Sequence, residues 1–169
     1  RQFTHSPIPP MSIDYIVTSL PSLSFDAPAP ISWEKFADIC ESAGGATLLS
    51  RLMKDFADLE TQLKNAIAEA RVGNSDFARP ATGCSLFWKN RVLAAFQEKD
   101  VAKRDELLDR VWWDAAGELT PPESPLGAGA LATYAIRLKV VLKRSKISTE
   151  AGNAAFDRLT AETKRRPET

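Results

Sequence analysis

Histidine is almost missing from this chain of 169 residues, the one copy being His5. A serine or cysteine nucleophile needs a base within hydrogen-bond reach, so Ser–His and Cys–His chemistry have no base in the body of the sequence. Cysteine is nearly as scarce. Cys40 and Cys84 lie far apart in the apolar settings "ADICES" and "GCSLFW". That excludes a disulfide scaffold, and without histidines the pair makes neither a zinc set nor a redox couple. Both read as reduced, buried thiols of a cytoplasmic protein. No metal or other cofactor is expected, nor is the chain expected to be an enzyme.

Net charge is also lacking, since 22 Lys and Arg face 22 Asp and Glu. The whole molecule therefore has no field to draw it onto nucleic acid or anionic lipid, and any basic function must be local. No segment has the roughly 18 uninterrupted apolar residues that a membrane span needs, and prolines break the uncharged runs near the start. Phosphate-binding loops are absent too. Gly44-Gly45 precedes a helical pattern but no Gly-Lys-Ser/Thr follows. Gly127 and Gly129 have no strand before them and no acid at dinucleotide spacing after them, so they read as small residues that let helices approach closely.

What remains is helical pattern in a chain that is 44% hydrophobic, enough to bury one sizeable core. Residues 1–10 have no periodicity and precede Met11, the only plausible start, so 1–12 read as a leader or as an artificial extension, leaving 13–165 as a single helical domain. Residues 13–25, "IDYIVTSLPSLSF", are rich in β-branched and aromatic side chains but interrupted by Pro21, which predicts a short extended arm, continued by the stiff "DAPAP". Ser32 is placed to cap a helix bearing Trp33, Phe36, Ile39 and Cys40, which stops at Gly44-Gly45. Over 46–72, Leu52, Phe56, Leu59, Leu63, Ala66 and Ala70 alternate at spacings of four and three. This is the seam of a long helix packed along its neighbours.

Phe87, Val92, Leu93 and Phe96 mark a third helix. Asp100 caps a fourth, whose buried side would use Leu107, Leu108, Val111, Trp112 and Leu119 before Pro121-Pro122 ends it. Residues 130–147 make a fifth helix, and Ser148 is placed to cap a sixth. With no βαβ alternation, the expected fold is an all-α bundle of five to six helices with a short extended N-terminal arm.

Charge is uneven along this frame: 137–169 hold nine cations against four acids, and 1–47 hold two against five. The cations of "ALATYAIRLKVVLKRSKI" fall at Arg137, Lys139, Lys143, Arg144 and Lys146, with apolar residues between them. They read as the snorkelling rim of a packed helix that faces a protein partner. A nucleic-acid-binding domain using this basic segment is the alternative, although one stripe of cations interleaved with aromatics is not evident. Glu60, Lys64 and Arg71 share one side of the long helix at spacings of four and seven. Trp112 and Trp113 diverge by about 100°, so one is core and the other, Trp113, is an exposed anchor for a partner. The acids Asp105, Glu106 and Asp109, flanked by Arg104 and Arg110, read as a solvated, salt-bridged face.

Three pieces in order resemble the C subunit of V-type and A-type ATPases, and more closely a short family encoded beside V-type ATPase genes in some bacteria. "LETQLKNAIAEAR" is similar to it at Glu60, Leu63, Lys64, Asn65, Ala68 and Arg71. "ELLDRVWWDAAGEL" is similar at Arg110, Trp112, Glu118 and Leu119. The basic helix and the segment after it are similar at Tyr134, Leu138, Lys139, Gly152, Phe156 and Leu159, and "YIVTSLPSLSF" followed by "PISWEKF" resembles the start of the short bacterial family. The resemblance implies a helical, non-catalytic coupling subunit between the central stalk and the membrane rotor, although this chain is much shorter than the three-lobed C subunit. Such a protein would be cytoplasmic, peripheral to the inner membrane through protein contacts, with no nucleic acid among its partners. The partner-binding candidates are Glu60, Lys64, Arg71, Trp113, Arg137, Lys139, Lys143 and Arg144.

Overall fold

A computed structural model describes residues 12–44, 46–73, 76, 78–80, 85–147 and 157–158. Among these residues the helices with bounds are, in order, α1 (Ile13–Ser19), α2 (Trp33–Gly44), α3 (Ala46–Val72), α4 (Leu86–Ala95), α5 (Val101–Ala116) with a 3₁₀ turn at Gly117–Leu119, and α6 (Ala128–Ser145). Among the described residues there is no strand, and the fold is the expected all-α bundle. The leader and all but two residues of the helix expected after Ser148 lie outside the described residues, as do Cys84, Gly152, Phe156 and Leu159.

The first part of the arm is a correction. Instead of an extended segment, 13–19 form a helix, because Ser12 caps it by accepting from the Tyr15 N–H and Ile16 is fully buried. A seven-residue helix is unstable alone, and burying one isoleucine contributes about 2 kcal/mol. Pro21 does not prevent this helix but ends it, by holding Leu20 extended at φ −68° and ψ 138°. The chain then runs on without a helix, turning at Phe25 and Asp26, and buries Phe25 and Ile31.

Side-chain caps fix three further starts, while α6 begins at Gly127 without one. Ser32 accepts from the Lys35 N–H at 3.2 Å, Ser85 from the Trp88 N–H at 3.4 Å, and Asp100 from the N–H groups of Ala102 and Lys103 at 2.8 and 3.2 Å. The α3 seam is buried at Leu52, Phe56, Leu63 and Ala66, as its spacing predicts. Two assignments of helix phase are corrected. In α4, Trp88 rather than Phe87 enters the core and Phe87 is 61% exposed; in α5, Leu107 is 39% exposed while Ala115 and Ala116 are fully buried.

The core has three clusters strung along α3. One joins Ile16, Ile31, Phe36 and Cys40 to Leu48 and Leu52 of α3 and Leu131 and Leu138 of α6. Cys40 is a free, buried thiol, as expected, and burial pushes its pKa up to about 11. The second joins Leu63 and Ala66 to α4 and α5 through Trp88, Val92, Leu108 and Val111. Between them a small cluster of Phe56, Ala116 and Ile136 joins α3, α5 and α6. The reading of small residues at the start of α6 is supported at Gly129, where a Cβ would collide with the Leu119 carbonyl oxygen.

Candidate functional site

The cations of α6 form two stripes rather than one irregular scatter. Arg137 and Arg144 are seven residues apart and share one side; Lys139, Lys143 and Lys146 succeed one another at spacings of four and three on another. From Arg137 to Lys139 the helix turns about 200°, and the buried Leu138 and Val141 point into the bundle between the two stripes.

The arginine stripe is covered. Arg137 donates through Nε to the Trp113 carbonyl oxygen at 3.1 Å, and its guanidinium carbon lies 4.8 Å from the centre of the Trp113 ring. Arg144 lies 4.0 Å from the centre of the Phe25 ring and Arg110 3.6 Å from it, while Arg110 also pairs with Asp26 at 3.4 Å. Phe25 meets Trp113 edge to face at 5.7 Å. Phe25 of the arm is therefore held by two guanidiniums and an indole, each a stabilising contact for an aromatic ring. Burial lowers the Arg137 pKa, and the nearby Asp114 carboxylate opposes that shift. Trp113 is consequently half-buried and engaged within the chain, not the exposed anchor its position beside Trp112 suggested.

The lysine stripe is open. Lys139 is exposed, with its ammonium 4.7 Å from the centre of the Trp33 ring and 3.2 Å from Met53 Sδ, a weak acceptor. Lys143 reaches Asp109 Oδ1 at 2.5 Å. Asp109 is only 4% exposed, which corrects the solvated face expected of α5: this carboxylate is buried and bound to α6, and Arg104 lies over Phe96 instead. Lys146 is exposed and acts on Glu34, whose carboxyl is held below the usual range chiefly by a backbone N–H in the first turn of α2 and by Ser32, with Lys146 adding to them.

Two hollows flank these lysines. One, of about 690 Å³, has Trp33, Leu142 and Ile147 with Lys139, Lys143 and Lys146 around it. The other, of about 250 Å³ between α3, α5 and α6, is floored by Met53, Phe56, Trp112, Ile136 and Val140 and shares Lys139 and Lys143 at its rim. Glu60 also lines the second hollow and pairs with Lys64 at 2.7 Å, as their spacing of four predicts. Arg71 is exposed in the last turn of α3, about 16 Å from Glu60 along the helix axis.

The eight candidate residues thus fall into three groups instead of one site. Glu60, Lys64, Lys139 and Lys143 gather around the α3–α6 hollow, Trp113, Arg137 and Arg144 make the sealed aromatic edge, and Arg71 stands apart. Sequence reasoning missed Asp109, Phe25 and the inclusion of Lys146 in a regular stripe. The signal for Asp109 was its place beside the Leu108–Val111–Trp112 seam; nothing local marks Phe25, whose partners lie more than eighty positions away. Among the described residues no group of three or more His, Cys, Asp or Glu could hold a metal ion, and no helix is long and apolar enough to cross a membrane. No protein-family model, no curated protein and no solved structure matches this chain.

Proposed function

We propose that this chain is a non-catalytic helical adaptor whose lysine face grips a protein partner, and that the partner is the stalk and membrane-ring assembly of a bacterial V/A-type ATPase. The general reading rests on one observation: Lys139, Lys143 and Lys146 form an exposed stripe beside Trp33, Leu142 and Ile147, and its acids are few, Asp109 pairing with Lys143 and Glu34 lying near Lys146. Cations alternating with apolar surface suit a partner that offers carboxylates around an apolar anchor. The choice of partner rests on the resemblance, whose three motifs begin in order on α3, α5 and α6. Exposed ion pairs contribute about 0–1 kcal/mol each, so the apolar surface must carry most of the affinity. In this reading the protein works at the cytoplasmic side of the membrane through its protein contacts.

The rival nucleic-acid reading asks for aromatic faces open to bases beside the cations. Phe25 and Trp113, the aromatics nearest the arginines, are instead occupied by Arg110, Arg137 and Arg144. The test is affinity purification of the tagged protein from its own organism in mild detergent, followed by mass spectrometry. Recovery of stalk and ring subunits, lost in a Lys139→Glu/Lys146→Glu double variant, is the expected result. Absence of this chain from the native complex, together with no binding to the isolated subunits, sinks the ATPase assignment. Salt-sensitive binding to DNA or RNA would favour the rival.

A further inference from the structure

The side of the bundle opposite the lysine stripe has a pocket that the adaptor reading does not use. It measures about 500 Å³ and lies where the turn after α1 passes the 3₁₀ turn and the first half of α6. Val17, Leu20, Leu23 and Pro125 give it apolar walls, and its polar lining includes Thr120, Thr133, Tyr134 and Arg137. Among the described residues no carboxylate lines it and Arg137 is its sole charge.

Part of this polar lining is already committed to the fold. Thr133 Oγ1 donates to the Ala116 carbonyl oxygen at 2.7 Å, so the 2.8 Å contact between the two threonine hydroxyls has Thr120 as its donor. Both threonine protons are thereby used. Arg137 has five N–H donors, and the bond to the Trp113 carbonyl uses the one on Nε. Its electrostatic neighbour Asp114 is itself bound to Arg91 at 2.7 Å. Among the described residues, no carboxylate lies within 4.0 Å of Arg137. The Tyr134 hydroxyl has no hydrogen-bond partner among the described residues, but it is wholly buried and offers a ligand no surface. A half-buried guanidinium whose terminal fork pairs with no carboxylate, set between apolar walls, is the donor of a carboxylate site.

We propose that this pocket binds a small monocarboxylate with an apolar body, its carboxylate on the Arg137 guanidinium fork and its body against Val17, Leu20 and Leu23. The pocket is several times the volume that admits a single benzene ring, about 150 Å³, so a short acyl chain or an arylalkanoate fits. Lysine in place of Arg137 would keep the charge but lose the two-pronged geometry.

The experiment titrates the full chain with hexanoate and with 3-phenylpropanoate, and with hexanamide as the neutral control, reading amide chemical shifts and calorimetry. The expected result is saturable binding of both carboxylates, with shifts at Leu20, Leu23, Ala130 and Thr133. Hexanamide should bind about tenfold more weakly. Arg137→Gln should lose about tenfold in affinity and Arg137→Lys less, while Lys139→Gln, on the opposite stripe, should leave carboxylate affinity unchanged whatever it does to partner capture. Thermal melts of each variant separate lost binding from lost fold, and Leu23→Trp, which fills the pocket and keeps Arg137, should block binding with the charge intact. No saturable binding of either carboxylate overturns the proposal. So does equal binding of hexanamide, or a loss that follows Lys139 instead of Arg137.

Discussion

The two cationic edges of α6 carry the same sign of charge within ten residues of sequence, yet one is closed and the other open. On the closed edge, Arg137 and Arg144 lie on the half-buried Trp113 and the buried Phe25; on the open edge, Lys139 and Lys146 are exposed, Lys139 reaching the Trp33 ring at 4.7 Å from the rim. Side-chain chemistry accounts for the difference. A guanidinium is weakly hydrated and planar, so it can leave water to stack on a ring, whereas an ammonium holds its water and is best left at a rim. Arginine in a basic helix therefore does not by itself advertise a protein-docking face. Here lysine does so better.

The sharpest way to break the contrast is to remove what closes the arginine edge. Phe25→Ala takes out a ring that is 4% exposed and touched by two guanidiniums and an indole. It should lower stability by about 3–4 kcal/mol in denaturant titration, and a loss below about 1 kcal/mol would show the arm is not integral to the bundle. Next in size is the one lysine tied down on the open edge. Lys143→Met strands the buried Asp109 carboxylate, but the lysine side chain is 54% exposed, so the cost is discounted to about 1–2 kcal/mol. Asp109→Asn in that background should recover part of it, and a double-mutant cycle with no coupling would refute the pairing.

Smaller still is the effect at Tyr134, which lines the pocket beside Arg137. Its buried hydroxyl has no partner, so Tyr134→Phe should raise stability by about 1 kcal/mol. The same burial pushes its pKa from the usual 10 up to about 12. The unfolded chain releases this proton first, so its contribution to stability is intact below pH 10 and lost as pH rises from 10 to 12. Alkaline melts of wild type and Tyr134→Phe check this, since the variant should lack that loss. Smallest for the fold are Lys139→Gln and Lys146→Gln, each within about 0.5 kcal/mol of wild type. These changes should nevertheless weaken partner capture, while Arg144→Gln, on the closed edge, should affect the fold more than capture.

Much of the frame was legible in sequence because local rules set it. The α3 bounds follow from its four–three seam and the stop at Gly73, the one described glycine with positive φ, at 81°. The caps at Ser32 and Asp100 act within three residues of themselves. α1 escaped because β-branched residues beside a proline resemble a strand, while the burial of Ile16 that decides the matter depends on α2 and α6. The errors at Phe87 and Leu107 are errors of helix rotation: neighbouring apolar residues compete for one inward direction, and only packing chooses between Phe87 and Trp88. The candidate site was less legible, since α6 shows its cations but not what lies opposite. Asp109 for Lys143, Phe25 for Arg144 and Trp113 for Arg137 all come from elsewhere in the chain.

The small cluster of Phe56, Ala116 and Ile136 is the waist of the molecule. On one side α1, α2 and the first part of α3 pack with α6, and on the other α4 and α5 pack with the last part of α3. Since α3 runs about 40 Å and is the one helix that enters all three clusters, it is the spine on which both ends are hung, and Phe56 is the place on that spine where α5 and α6 are fastened to it together.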